Sequence, residues 1–194
     1  MPNLYIIGGC NGAGKTTASF TVLPEILNCK EFVNADEIAR GISPFQPETV
    51  AFEAGRFMLT RIDELMEKGI DFAFETTLAT RSYSSTIQKA KDIGYFISLV
   101  YFWLDSSELA ISRVKERVAS GGHNIPEHVV KRRYVRGLLN LFDLYIPSVD
   151  FWIAVDNSSK EFLILADGGS QGIKTHNASR WSELEQNYKT WKIK

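Results

Sequence analysis

The sequence predicts a doubly wound α/β fold, a mainly parallel sheet with helices on both faces, on three observations. Short apolar runs alternate with longer segments of helical spacing along most of the chain. The run "FISLVYFWL" is apolar nearly throughout, as a strand covered on both faces requires. The stretch "GGCNGAGKTT", residues 8 to 17, joins the first apolar run to the first helical segment through a glycine-rich turn.

In chain order, strands are expected at 4–7, 32–33, 72–74, 95–104, 151–155 and 162–166, each bounded by turn residues. Helical spacing occupies 16–27, 47–68, 83–91, 106–120 and 126–144. Capping chemistry marks further boundaries: Asn34 stands three before Glu37, Asp105 three before Glu108 and Asn124 three before Glu127. "VDNSSKEFLILA" offers only a turn between the last two strands, so a C-terminal antiparallel edge hairpin is expected. The 194 residues suit one domain with one core, without repeats or low-complexity tracts.

Hydrophobic residues make up 44% and charged residues 23%, a globular balance that excludes disordered and fibrous classes. A net charge of -1 gives no overall field for nucleic acid, yet residues 113–136 hold seven Lys and Arg against two Glu. Cys10 and Cys29 have neither metal-ligand spacing nor the density of a disulfide scaffold, and read as reduced thiols. The amino terminus has no basic lead or cleavage site, and no run nears the roughly 20 apolar residues of a membrane span, so a cytoplasmic protein is expected.

Gly9-x-x-x-x-Gly14-Lys15-Thr16 is a complete P-loop between an expected strand and an expected helix. Its residues Gly9, Cys10, Asn11, Gly12, Ala13 and Gly14 turn backbone N–H groups around a phosphate chain, and the following helix adds its positive end. Lys15 reaches the β- and γ-phosphates, Thr16 offers its hydroxyl to Mg²⁺, and Thr17 completes the set. Binding alone does not say where the γ-phosphoryl goes. "VNADEIAR" sets Asp36 at the sheet's carboxyl edge, where it serves either as the base for a substrate hydroxyl or as an acid in a helix's first turn. In "FETTLAT", Glu75, Thr76 and Thr77 follow a wholly apolar strand, which favours a metal or substrate site over a simple cap.

"SRVKERVASGGHNIPEHVVKRRYVR" is two helical stretches joined by a Gly-Gly turn. Arg113 and Arg117 share a face of the first, and on the second Arg133 borders the apolar stripe while Arg132 and Arg136 point farther out. Three readings fit this cluster: a helical lid over the phosphates at about residues 106–145, a solvated basic face, or a nucleic-acid patch. His123 in the turn is a possible substrate contact, although local structure explains it as well.

With these residues in view, the chain from about Leu4 to Trp152 resembles the zeta-toxin family of P-loop kinases, through "GGCNGAGKTT", "VNADEIAR", "FETTLAT" and "RVASGGHNIPEHVVKRRYVR". The resemblance implies an ATP-dependent kinase phosphorylating a hydroxyl of UDP-N-acetylglucosamine. It implies that Asp36 is the base, that Asn34, Arg40, Glu75, Thr76 and Thr77 lie on the acceptor side, and that Arg117 with Arg132 or Arg133 takes the γ-phosphate. Arg113 joins the nucleotide contacts, Glu75 joins Thr16 at Mg²⁺, and a separate antitoxin is a possible partner. A kinase of another metabolite or nucleotide would keep the same machinery. A nucleotide-dependent interaction protein without an acceptor, or a nucleic-acid-end kinase, would use it differently.

Overall fold

A computed structural model describes residues 1–122, 124–159 and 161–193; His123 lies outside the described residues. Among the described residues, seven strands form one sheet: β1 (Asn3–Gly9), β2 (Glu31–Val33), β3 (Phe72–Thr76), β4 (Phe96–Trp103), β5 (Phe151–Asp156), β6 (Leu163–Gly169) and β7 (Gly172–Thr175). Their order is β2-β3-β1-β4-β5-β6-β7. The first five run parallel, and β6 and β7 turn back antiparallel at one edge.

Seven α-helices accompany them among the described residues: α1 (Lys15–Thr21), α2 (Ala35–Ile42), α3 (Ala51–Glu67), α4 (Tyr83–Asp92), α5 (Ser107–Ala119), α6 (Glu127–Asn140) and α7 (Ala178–Lys192). Strand residues alternate between two apolar layers, as the period of two demands. Phe72 and Phe74 pack with Met58 and Ile62 of α3 and Ile87 of α4, whereas Ala73 packs with Ala18 of α1 and Ala110 and Val114 of α5. The doubly wound expectation therefore describes the molecule. Because β1 lies between β3 and β4, its carboxyl end opens at the crevice where such sheets bind ligands.

Several boundaries differ from the sequence reading for local reasons. The first helix stops at Thr21 and loosens into a π-helical turn, Val22–Ile26, around Pro24, which has no N–H to donate. Residues 47–50 form a 3₁₀ turn leading into α3. Ser106, not Asp105, caps α5, its hydroxyl accepting from Leu109 N–H at 3.3 Å. Pro126 rather than Asn124 precedes α6, with no side-chain cap. Neither β7 nor α7 was expected. All four residues of β7 are exposed, so it shows no alternation, and α7 buries only Trp181 and Leu184. Among the described residues, no helix is long and apolar enough to cross a membrane.

Candidate active site

The loop between β1 and α1 closes on itself, the Ala13 N–H donating to the Cys10 carbonyl at 3.2 Å. Gly12 and Gly14 both take φ of 80°, the left-handed region open to glycine at little cost. Neither has room for a side chain: a Cβ on Gly12 would stand 2.8 Å from the Ala110 carbonyl oxygen, and one on Gly14 2.5 Å from Asn157 Nδ2. Lys15 is 5% exposed; its ammonium donates to the Cys10 carbonyl at 2.9 Å and stands 3.4 Å from Glu75 Oε1. Thr16 Oγ1 donates to Glu75 Oε2 at 2.7 Å, and Asn34 Nδ2 donates to the same oxygen at 3.0 Å. Burial pushes the Cys10 thiol up to about 11, against the pull of Lys15. Thr17 is exposed at the helix surface.

Asn34 links the two sides of the site. Its amide nitrogen holds Glu75 while its Oδ1 accepts from the Asp36 N–H at 2.8 Å and the Glu37 N–H at 3.4 Å, capping α2. That cap fixes the first turn of α2 and so presents Asp36 to a cleft of about 690 Å³. Arg40, Phe45 and Arg133 line the same cleft, as do Gly121, Gly122 and Ile125 of the turn joining α5 to α6. Asp36 and Arg40 are exposed, and Arg40 pairs with Glu37 at 3.1 Å. Phe45 is 97% exposed between two prolines.

The end of β3 is held from above by α6. Thr76 is buried and its hydroxyl accepts from Leu78 N–H at 3.1 Å, while Leu78 takes φ of 57°, a conformation costly for a leucine. Asn140 Nδ2 donates to the Leu78 carbonyl at 2.7 Å. Gly137 lies so close to the Thr77 carbonyl that a Cβ would stand 2.5 Å from it. Thr76 therefore has a local partner, and Thr77 is half-buried beside the helix.

Helices α5 and α6 pack against one another as a helical hairpin. Val130, Tyr134 and Leu138 root α6 in the core, Tyr134 donating to the Leu104 carbonyl at 2.8 Å. Arg133 is half-buried and donates to Asn11 Oδ1 of the P-loop at 3.2 Å, whereas Arg132 is exposed. Burial lowers the guanidinium pKa of Arg133, and the nearby Asp36 carboxylate opposes that shift. Arg117 is half-buried at the end of α5, where its carbonyl accepts from Gly122 N–H at 2.8 Å. Arg113 is half-buried and donates to the Ser158 carbonyl at 3.2 Å.

That last contact belongs to a support which sequence reasoning missed. Asn157 Nδ2, in the turn after β5, donates to the Ala13 carbonyl at 2.9 Å. The neighbouring Asp156 is 5% exposed, accepts from the Ser158 N–H at 2.8 Å and is gripped by Arg180 of α7, whose Nε donates to it at 2.7 Å. The Arg180 guanidinium also lies 4.8 Å from the Trp103 ring centroid. "VDNSS" reads as a turn, and nothing in its composition signals a partner in the P-loop.

What the site can hold follows from its donors. An anion chain fits the glycine-rich turn and the Lys15 ammonium. A hard divalent cation fits two oxygen groups 2.7 Å apart, Thr16 Oγ1 and the Glu75 carboxylate, with other ligands from phosphate and water. Among the described residues, no group of three or more His, Cys, Asp or Glu is arranged to bind a metal.

Comparison with known proteins agrees with this arrangement. A relative from Haemophilus influenzae, an uncharacterized protein, is 32% identical over 126 residues, 65% of this chain and 88% of its own. In three dimensions the chain is similar to the AvrRxo1-ORF1:AvrRxo1-ORF2 complex solved with sulphate ions, with a TM-score of 0.75, 19% identity and 95% of this chain covered. The chain spans only 63% of the length of that protein. It is also similar to a structure of the PezAT toxin–antitoxin system of Streptococcus pneumoniae, with a TM-score of 0.63 at 16% identity, covering all of this chain and 88% of the other. Deoxyadenosine kinase from M. mycoides with bound dATP shares the fold at a TM-score of 0.54 and 17% identity, over 83% of this chain and 93% of the kinase. The family model described as zeta toxin matches residues 1–143, most of the chain and every element that builds the cleft, so the protein belongs to the zeta-toxin family.

Proposed function

We propose that the protein is a phosphotransferase that moves the γ-phosphoryl group of ATP to a hydroxyl of a small molecule. The observation that carries this reading is one residue, Asn34, joining the P-loop's carboxylate partner Glu75 to the helix that presents Asp36 to the cleft. A nucleotide site and a carboxylate aimed at an open, acceptor-sized cleft are thus one construction. Such a cleft suits transfer to a second substrate.

In this reading the P-loop N–H groups and Lys15 hold the β- and γ-phosphates, with Asn11 held by Arg133 and Ala13 by Asn157. Thr16 and Glu75 would hold Mg²⁺, which would supply positive charge to neutralise the phosphates. Asp36 accepts the proton of the acceptor hydroxyl as its oxygen forms the new bond to phosphorus and the bond to the ADP oxygen breaks. Arg133 and Arg117 offset the charge that develops on the transferring group, and the α5–α6 turn shields it from water. Arg40 and Phe45 meet the remainder of the acceptor at the cleft mouth.

By family, UDP-N-acetylglucosamine is the acceptor to test first, and a separate antitoxin-like protein the partner to seek. Pure protein is incubated with Mg²⁺, ATP and the sugar nucleotide, and the products are followed by mass spectrometry beside Asp36→Asn. The expected result is a product heavier by one phosphoryl group, lost in the variant while ATP binding persists. Equal product from both proteins would remove Asp36 as the base; no product from either would send the search to other hydroxyl acceptors.

A further inference from the structure

Asn11 is a buried amide in the phosphate loop, 5% exposed, and its partner comes from another element. An asparagine in a turn ordinarily bonds the backbone two residues on. Here its Oδ1 instead accepts from Arg133 Nη1 at 3.2 Å, across 122 residues of sequence. Both ends of this bond rest on fixed backbone. Beside Asn11, Gly12 lies so close to α5 that a Cβ would stand 2.8 Å from the Ala110 carbonyl oxygen. Beside Arg133, Tyr134 is buried and donates to the Leu104 carbonyl at 2.8 Å. What the bond holds is the guanidinium at the end of a long side chain. Arg133 also lines the cleft together with Asp36, whose carboxylate attracts that guanidinium.

From this geometry we infer that Asn11 is a positioning residue: it holds the Arg133 guanidinium at the phosphate loop and keeps its charge free for the transferring group. The inference rests on the phosphotransfer reading above and deepens it, adding a residue that acts through another. Without Asn11 the guanidinium is drawn toward the Asp36 carboxylate and away from the loop. The choice of an amide matters. A carboxylate at position 11 would hold the guanidinium more tightly, but it would neutralise the charge and set a negative group beside the phosphates. An amide oxygen accepts the hydrogen bond and adds no charge, so Arg133 keeps its full charge and its remaining N–H groups for phosphoryl oxygens. Stabilising charge in a transition state requires such placement in advance, because a side chain that must first be ordered loses part of its interaction to that ordering. The loop that grips the phosphates thereby also sets the cation that meets the group leaving them.

The test follows ADP formation at saturating Mg²⁺ and ATP, a readout that needs no known acceptor, and ATP affinity by calorimetry. It uses the whole protein carrying Asn11→Ala, Arg133→Ala or both; alanine keeps the backbone N–H of the loop. Expected for Asn11→Ala is a rate about tenfold lower, with ATP affinity within about twofold of wild type. In the Arg133→Ala background the same substitution should bring no further loss, because no guanidinium is left to hold. Equal losses in both backgrounds would show that Asn11 acts on the loop itself and would overturn the inference, as would a fall in ATP affinity at an unchanged rate. Asn11→Asp, which keeps the oxygen and adds charge, should slow the reaction at least as far as alanine; a wild-type rate there would equally overturn it. Melting curves accompany each protein, so that a folding defect in one variant at position 11 leaves the other readable. If wild type forms no ADP with UDP-N-acetylglucosamine or in its absence, the phosphotransfer reading fails first and this inference with it. ADP formation that Arg133→Ala leaves unchanged removes Arg133 from its role and sinks the inference, while the phosphotransfer reading stands.

Discussion

On the nucleotide side of the site, Lys15 is 5% exposed and Glu75 10%, and the loop is tied to Asn157 and Arg133 from two other elements. In the cleft proposed for the acceptor, Asp36 and Arg40 are exposed and Phe45 is 97% exposed. The contrast follows from what each half must do. Stabilising phosphoryl charge needs fixed dipoles in a dry setting, present before the reaction begins. Recognising an acceptor needs surface that the acceptor itself will cover, so its residues stay open until it binds.

The comparison breaks most readily at Lys15. Lys15→Ala removes the loop's cation and leaves Glu75 buried without its partner, so transfer should fall about a thousandfold and ATP binding should disappear. Turnover within tenfold of wild type would show that the dry half is not where the charge is met. Next in size is Arg180→Ala, which strands the buried Asp156 at a cost of about 3 kcal/mol. For a domain of this length the melting temperature should drop by about 6 to 12 °C. ATP affinity should fall with it as the turn holding Ala13 and Arg113 loosens; calorimetry on the variant below its melting point reads this directly.

Phe45→Ala sharpens the other half. Because the ring is exposed, melting temperature and the KM for ATP should stay unchanged while the acceptor KM rises about tenfold. A shift in both KM values would mean that the two halves share Phe45. The smallest effect concerns Cys10. With its thiol pushed up to about 11, only about one molecule in a thousand carries the thiolate at pH 8, so alkylation should be slow there. It should rise about tenfold per pH unit up to about 11, and ATP should slow it further; peptide mass spectrometry separates it from Cys29, whose thiol is also pushed up to about 11.

The two halves also differ in how far the sequence announces them. A phosphate cradle is local: eight consecutive residues carry its glycines, lysine and threonine, and the flanking strand and helix follow from periodicity. Asn34 is legible as a cap through Glu37, but capping uses only its Oδ1. That its nitrogen reaches Glu75, 41 residues away, has no local pattern. Arg133 borders the apolar stripe of its helix by angle alone, yet its partner Asn11 comes from the fold. Thr76 reads as a site hydroxyl at a strand end, while the structure gives that hydroxyl to the Leu78 N–H, in a turn of positive φ whose carbonyl is held by Asn140 of α6. The last two elements went unread because β7 is exposed along its length and α7 buries one narrow stripe. Periodicity records burial, and these elements have little of it.

The bond from Asn157 to Ala13 joins positions 144 residues apart, and it gives the molecule a timetable. At translation rates of about 5 to 20 residues per second, the loop waits roughly 7 to 30 seconds between its own synthesis and the arrival of the residue that braces it. Strand β5 must first take its place beside β4, and Arg180 must then clamp Asp156. A nascent chain long enough to display the whole P-loop motif still lacks its brace, so the tied loop described above is a property of a polypeptide made at least as far as Arg180.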